Sequence, residues 1–274
     1  LVLPIALTVN AFRSPSWRQM KRWATDAGVT ITENNENMIR QRLGRARRYR
    51  SVTGLPFWWL AALPALDNGG QPAWTRTLVW IPLTAYALGS MWAAVPDPSP
   101  TVDTRAAVLT PRVPSRYVWT PARFAPWVLL GLSGLSLALT KPFPPRFPVS
   151  IRSEAPQLVI AALVAVLAEL VIRLIASRPQ PATTPSRIDA DDALRSTGAT
   201  AAIASALLVT TMAMSTAVNA LLWSGHRMWI GVPLWVACGL ATFAALTAIV
   251  NQAPWLPQRP RTVLTPAPSQ RVDA

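Results

Sequence analysis

Apolar and polar stretches alternate along the chain. Six apolar runs stand out, at about 51–68, 74–95, 122–140, 156–176, 197–223 and 228–250. A helix that crosses the hydrocarbon layer needs roughly 20 residues, with a range of about 17–25. The second, fourth, fifth and sixth runs qualify on length, and the first and third must draw on flanking residues. Pro56, Pro64, Pro82 and Pro233 lie inside these runs. Neighbouring helices can satisfy the carbonyls that a proline frees, so these prolines predict kinks rather than breaks. The expected fold is all-α: a polytopic transmembrane helical bundle of about six spans. The spans form three hairpins, 51–95, 122–176 and 197–250.

The polar stretches divide the rest. Residues 10–50 form a basic segment. The loops 96–121 and 177–196 and the tail 251–274 are rich in proline and arginine, a composition that favours extended, semi-rigid chain. Within 10–50, residues Ser14–Ala27 suit a short helix with Trp17, Met20 and Trp23 near one face and Arg18, Lys21 and Arg22 around the other. Such a helix can lie in the headgroup plane. A second helix is expected from Asn35 to Arg50, running into the membrane. Thr32 and Glu36 come close to a capping box without the required spacing. Residues 1–9 are apolar, end abruptly and lack the basic start of a signal peptide. Two readings compete, a short apolar N-terminus and the remnant of a membrane helix; an internal repeat favours the second, with which a chain truncated at its N-terminus is expected.

The stretch 188–266 runs in step with 33–111 at a constant offset of 155. Fourteen of 79 positions are identical without a gap, including Arg40/Arg195, Trp74/Trp229, Trp80/Trp235 and Val108–Pro111/Val263–Pro266. Copies separated by an even number of spans share an orientation, so this is a parallel internal repeat. With 1–9 as the counterpart of 156–176, the parent unit has four spans.

Composition sharpens this picture. Only 14% of residues are charged and mean hydropathy is +0.28, against roughly 25% charged in soluble domains. The net charge of +14 would suggest nucleic acid in a soluble protein. Here the cations lie between apolar runs, so no nucleic acid is expected and topology accounts for them. Twenty-one Lys and Arg fall in or beside one set of loops and five in the other. The positive-inside rule then places both termini in the cytoplasm and the protein in the cell membrane. Trp74, Trp223 and Trp229 mark the outer boundary, and Trp92, Trp119 and Trp255 the inner one. Anionic headgroups at the cytoplasmic face are the expected lipid partners.

Three short motifs carry a resemblance. They are Arg105-Ala-Ala-Val-Leu-Thr-Pro-Arg112 with Tyr117, Thr32-Glu33-Asn34 leading to Arg45-Ala-Arg-Arg-Tyr-Arg50, and Asp191-Asp192-Ala-Leu-Arg195. In these the chain resembles a group of uncharacterised actinobacterial multi-span integral membrane proteins. The resemblance implies a polytopic helical fold and brings no activity, cofactor or site residue with it.

Candidate chemistry is sparse. Glu169 and Arg173 lie four apart within the run 156–176 and can pair on one helix face. An ionisable residue inside a span is a functional candidate, so this pair is either a structural brace or, through Glu169, a proton or ion contact. Asp189, Asp191 and Asp192 precede the run 197–223, with Arg195 one turn on. The acids suit a helix N-terminus; the alternatives are a docking motif for a cytoplasmic partner, such as an ATPase subunit or another membrane subunit, and a metal site. His226, the single histidine, sits in the outer turn Ser224–Arg227. Cys238, the single cysteine, reads as a small buried hydrophobe. Small residues four apart, Ala201/Ser205 and Ala213/Ala217, permit close helix packing. No motif for nucleophilic, phosphate-loop, cofactor or metal chemistry occurs. The expected role is a non-catalytic membrane component or accessory of a transport system. The alternative is a structural or regulatory membrane scaffold.

Overall fold

A computed structural model describes residues 14–62, 74–95, 113–140, 151–178, 184–223 and 228–251. The apolar stub 1–9, the Arg105–Arg112 motif, His226 and the Val263–Pro266 motif lie outside these residues. The described residues hold seven α-helices and no strand: α1 Trp17–Ala27, α2 Glu33–Ala62, α3 Trp74–Ala94, α4 Thr120–Thr140, α5 Ile151–Ser177, α6 Pro185–Trp223 and α7 Met228–Asn251. A 3₁₀ turn, Pro114–Arg116, precedes α4.

Local chemistry sets the helix ends. Ser16 and Gln19 form a full capping box at the start of α1, which satisfies two backbone donors reciprocally. Gly28 ends that helix in the left-handed region (φ 62°), its N–H returning to Ala24 and Thr25 carbonyls, a conformation that glycine adopts without steric penalty. At the start of α2, where Thr32 and Glu36 lack the spacing of a capping box, the Asn35 side chain closes the first turn. Its Oδ1 accepts from the Thr32 N–H at 2.8 Å, and its Nδ2 donates to the Thr30 carbonyl at 2.9 Å and the Ser186 carbonyl at 3.4 Å. One buried amide thus ties the start of α2 to the start of α6.

Two helices are longer than the apolar runs that announce them. α2 passes without interruption from the basic segment into the first apolar run, about 45 Å in all. α6 has 39 residues and begins at Pro185, so residues 185–196 are its first turns rather than an extended connection. Thr184 accepts the first backbone bonds, from Arg187 and Ile188, and Pro185 occupies the first helical position, where its missing donor is not needed.

α6 is the spine of the bundle. It packs against α2, α3, α4, α5 and α7, and Ala199, Ala202, Ala206, Leu208, Val209, Ala213 and Ala217 along it are buried. Alanine at these positions lets five helices approach one axis closely. Thr210 and Thr211 donate to carbonyls of their own helix, and Thr211 also meets Thr242 of α7 at 3.0 Å. These two buried hydroxyls are thereby satisfied locally.

Among the described residues, three helices are long and apolar enough to cross a bilayer: α5 over Ala155–Ser177, α6 over Ser186–Val218 and α7 over Val232–Ile249. Their outer faces fit that setting. Val159, Leu163, Val166 and Leu170 of α5 and Trp235, Val236, Leu240 and Phe243 of α7 are exposed, an apolar stripe on each helix of the kind that suits a lipid or protein neighbour.

α1 departs from the expectation that it lies on headgroups through its apolar face. Met20, Trp23, Ala24 and Ala27 are buried in a cluster with Ile39 and Leu43 of α2 and Ala190 and Ala193 of α6. Trp23 Nε1 also donates to Thr197 Oγ1 at 3.2 Å. The early start of α6 supplies the surface that covers this face. Only Trp17 of the three expected residues is exposed.

Candidate functional site

The charged side chains worth reading as a site gather at one end of the bundle. There the ends of α3, α5 and α7, the starts of α4 and α6 and the middle of α2 meet.

Glu169 of α5 lies between two arginines. Arg173, one turn later, donates Nε to Oε1 at 2.7 Å. Arg123 of α4 donates through two nitrogens, Nε to Oε2 at 2.7 Å and Nη2 to Oε1. The fork of Arg123 matches the carboxylate geometry and fixes both partners, which a single contact does not. Sequence spacing pointed to Arg173 alone. Arg123 is 46 positions away and reaches Glu169 only because α4 packs beside α5.

Asp191 and Arg195 form a second pair on α6, Oδ2 to Nε at 2.8 Å, with 9% and 5% of their side chains exposed. Arg195 Nη1 also donates to the carbonyls of Ile175 at 3.2 Å and Arg178 at 2.8 Å. These carbonyls end α5 and have no intrahelical donor, so a cation there satisfies the acceptors and the helix dipole together. Arg50 of α2 does the same for α7: it is buried, with Nη1 donating to the Ile249 carbonyl and Nε to its own Ala46 carbonyl at 2.9 Å. Nothing in the local sequence distinguishes Arg50 from its basic neighbours. Its burial follows from the α2–α7 geometry.

The other acids expected near this end are placed differently. Asp192 is half-buried and meets Arg116 of the 3₁₀ turn at 2.7 Å, while Asp189 is exposed. The three aspartates therefore point into three environments rather than one surface. Among the described residues no group of three or more His, Cys, Asp or Glu side chains is arranged to hold a metal ion. Cys238 is buried against Met214 and Val218.

A part-open cavity of about 50 Å³ lies between α2, α3 and α6 at this same end. Arg42, Arg50, Arg195 and Asp191 line it, together with small residues that include Ser90 and Gly198. Gly198 allows a close approach of α3, since a Cβ there would meet that of Ala94 at 3.2 Å. Comparison with protein-family models, with characterised proteins and with solved structures returned no match.

Proposed function

We propose that the protein is an integral protein of the cell membrane with six spans, both described ends of the bundle's chain facing the cytoplasm, and that it serves as a non-catalytic scaffold of a membrane assembly. The observation that carries the scaffold reading is α6, a solid spine that touches five other helices, while arginines tie the ends of α5 and α7 to their neighbours. Such a core is suited to holding a shape.

Several facts support six spans and a parallel repeat. α3 and α4 have 21 residues each, about 31 Å of helix for a layer of about 30 Å. At an offset of 155, α2 and α3 fall on α6 and α7, and each pair packs as a hairpin. The ion pair Glu36–Arg40 falls on Asp191–Arg195. Trp92 and Trp119, assigned to the inner boundary, are exposed, which suits indoles at headgroups.

A second reading, a component or accessory of a transport system, draws on Glu169, whose carboxylate lies beside a span's inner end. The two readings part on Glu169→Gln in reconstituted vesicles. The scaffold reading expects a lower thermal midpoint in detergent and unchanged proton permeability, followed with an entrapped pH dye. A proton leak in the wild type that disappears in the variant would overturn it in favour of transport.

A further inference from the structure

We infer that the cationic face of α1 rests on the headgroups of anionic phospholipid beside the bundle. The helix has two faces. At about 100° per residue, Arg18, Lys21 and Arg22 fall within one arc of roughly 100°, opposite the arc of Met20, Trp23, Ala24 and Ala27. The apolar arc is buried against α2 and α6, and all three cations are exposed. Asp26 is the one acid of α1, so the helix carries three positive charges and one negative. An amphipathic helix on a membrane ordinarily buries its apolar face in the lipid. Here the protein occupies that face, and what remains outside is charge with one indole, Trp17. The contact left to the helix is electrostatic.

Depth selects lipid over a soluble acidic partner. The apolar stretch of α6 ends at Val218. A hydrocarbon layer of about 30 Å takes about 20 helical residues, which counted back from Val218 reach Gly198. Three elements meet α6 at this level. Trp23 of α1 donates to Thr197 at 3.2 Å, Ser196 donates to the Tyr117 carbonyl at 3.0 Å, and Ala94 of α3 lies against Gly198. Trp92 and Trp119, each two residues from one of these contacts, are exposed, as indoles at headgroups are. The basic face of α1 thus stands at the level of the phospholipid phosphates, where an acidic protein would first have to displace lipid. The inference rests on the membrane reading and adds to it a lipid class and the helix that selects it.

The test uses the full chain with Cys238→Ala and Thr25→Cys, reconstituted in nanodiscs of phosphatidylcholine and phosphatidylglycerol. Thr25 is exposed within the cationic arc, so a bimane on the thiol at 25 reports on that face. Either lipid, carrying a nitroxide near the headgroup end of its acyl chain, quenches the dye only at short range. One basic residue near an anionic surface changes association about five-fold. With a net charge of two, the dye should favour phosphatidylglycerol roughly 25-fold at low salt and much less at high salt. Lys21→Gln should lower the preference about five-fold, and Asp26→Asn should raise it about five-fold. Arg18→Gln, Lys21→Gln and Arg22→Gln together should abolish it and leave the thermal midpoint in detergent unchanged, since all three side chains are exposed. Equal quenching by the two lipids, quenching by neither, or a preference that survives the triple substitution would overturn the inference and leave the membrane reading standing. A chain that does not enter nanodiscs would overturn both. Equal quenching together with binding of soluble poly-glutamate that the triple substitution removes would assign the face to an acidic protein instead.

Discussion

Asp191 and Arg195 hold each other one turn apart, 2.8 Å between Oδ2 and Nε, and both are almost wholly buried. Glu36 and Arg40 make the equivalent pair at 2.5 Å on α2, with side chains 31% and 48% exposed. The chemistry is the same and the burial is not. Removing one partner of a buried pair leaves an uncompensated charge, at a cost of about 3 kcal/mol. An exposed helical pair contributes only about 0.3–0.5 kcal/mol. Asp191→Asn should therefore lower the thermal midpoint in detergent far more than Glu36→Gln does. Equal losses from the two substitutions would contradict the buried position of Arg195.

Arg123 and Arg173 both bind Glu169, but unequally. Arg173 is 66% exposed, while Glu169 and Arg123 are 17% and 22% exposed. Double-mutant cycles separate the two contacts. Coupling between Glu169→Gln and Arg123→Gln should be about 1–3 kcal/mol. That between Glu169→Gln and Arg173→Gln should stay below about 1 kcal/mol and shrink in high salt. A larger coupling to Arg173 would mean that α4 does not pack beside the C-terminal half of α5.

Gly89 lies where α3 packs tightly against α2. A Cβ there would overlap Thr53 Oγ1 and lie 2.8 Å from the Tyr49 carbonyl oxygen. Gly89→Ala should cost about 1–3 kcal/mol, because packed helices yield little to added volume. Removing the hydroxyl with Thr53→Ala should restore only part, since the carbonyl remains. Gly131 of α4 is the contrasting case, since a Cβ added there would meet nothing within 4 Å. Gly131→Ala should be neutral or stabilise by about 0.5–1 kcal/mol through better helix propensity. Thermal midpoints of Gly89→Ala, Thr53→Ala, their combination and Gly131→Ala measure both effects.

The helices were legible where apolar runs coincide with them. α3, α4, α5 and α7 lie within a few residues of the runs at 74–95, 122–140, 156–176 and 228–250. The early start of α6 was harder to read, because Asp189, Asp191 and Asp192 make its first turns polar. Thr184-Pro185 was the available signal, a cap followed by proline at the first helical position. Ser16 and Gln19 likewise spelled a capping box. The site was legible only within one helix. Spacing gave Glu169 with Arg173 and grouped Asp191 with Arg195, whereas Arg123, Arg50 and the carbonyls of Ile175 and Arg178 come from other elements. No periodicity in a single sequence reports which loop-end arginine reaches which helix end.

The orientation deduced from loop charge can be tested with one thiol at a time. Cys238 is buried in α7, so Cys238→Ala supplies a background free of other cysteines at little structural cost, being a change between small apolar side chains. Asp189→Cys places a thiol at an exposed position near the start of α6. Ser224→Cys places one in the chain directly after Trp223, the last residue of α6. The two positions are 35 residues apart along the chain. Continuous helix over about 34 of these steps spans about 51 Å, enough to set the thiols on opposite faces of a layer about 30 Å thick. A membrane-impermeant maleimide should label the thiol at 224 in intact cells and the one at 189 only after permeabilisation. Labelling of 189 in intact cells would reverse the orientation, and labelling of both would mean that α6 does not cross the membrane.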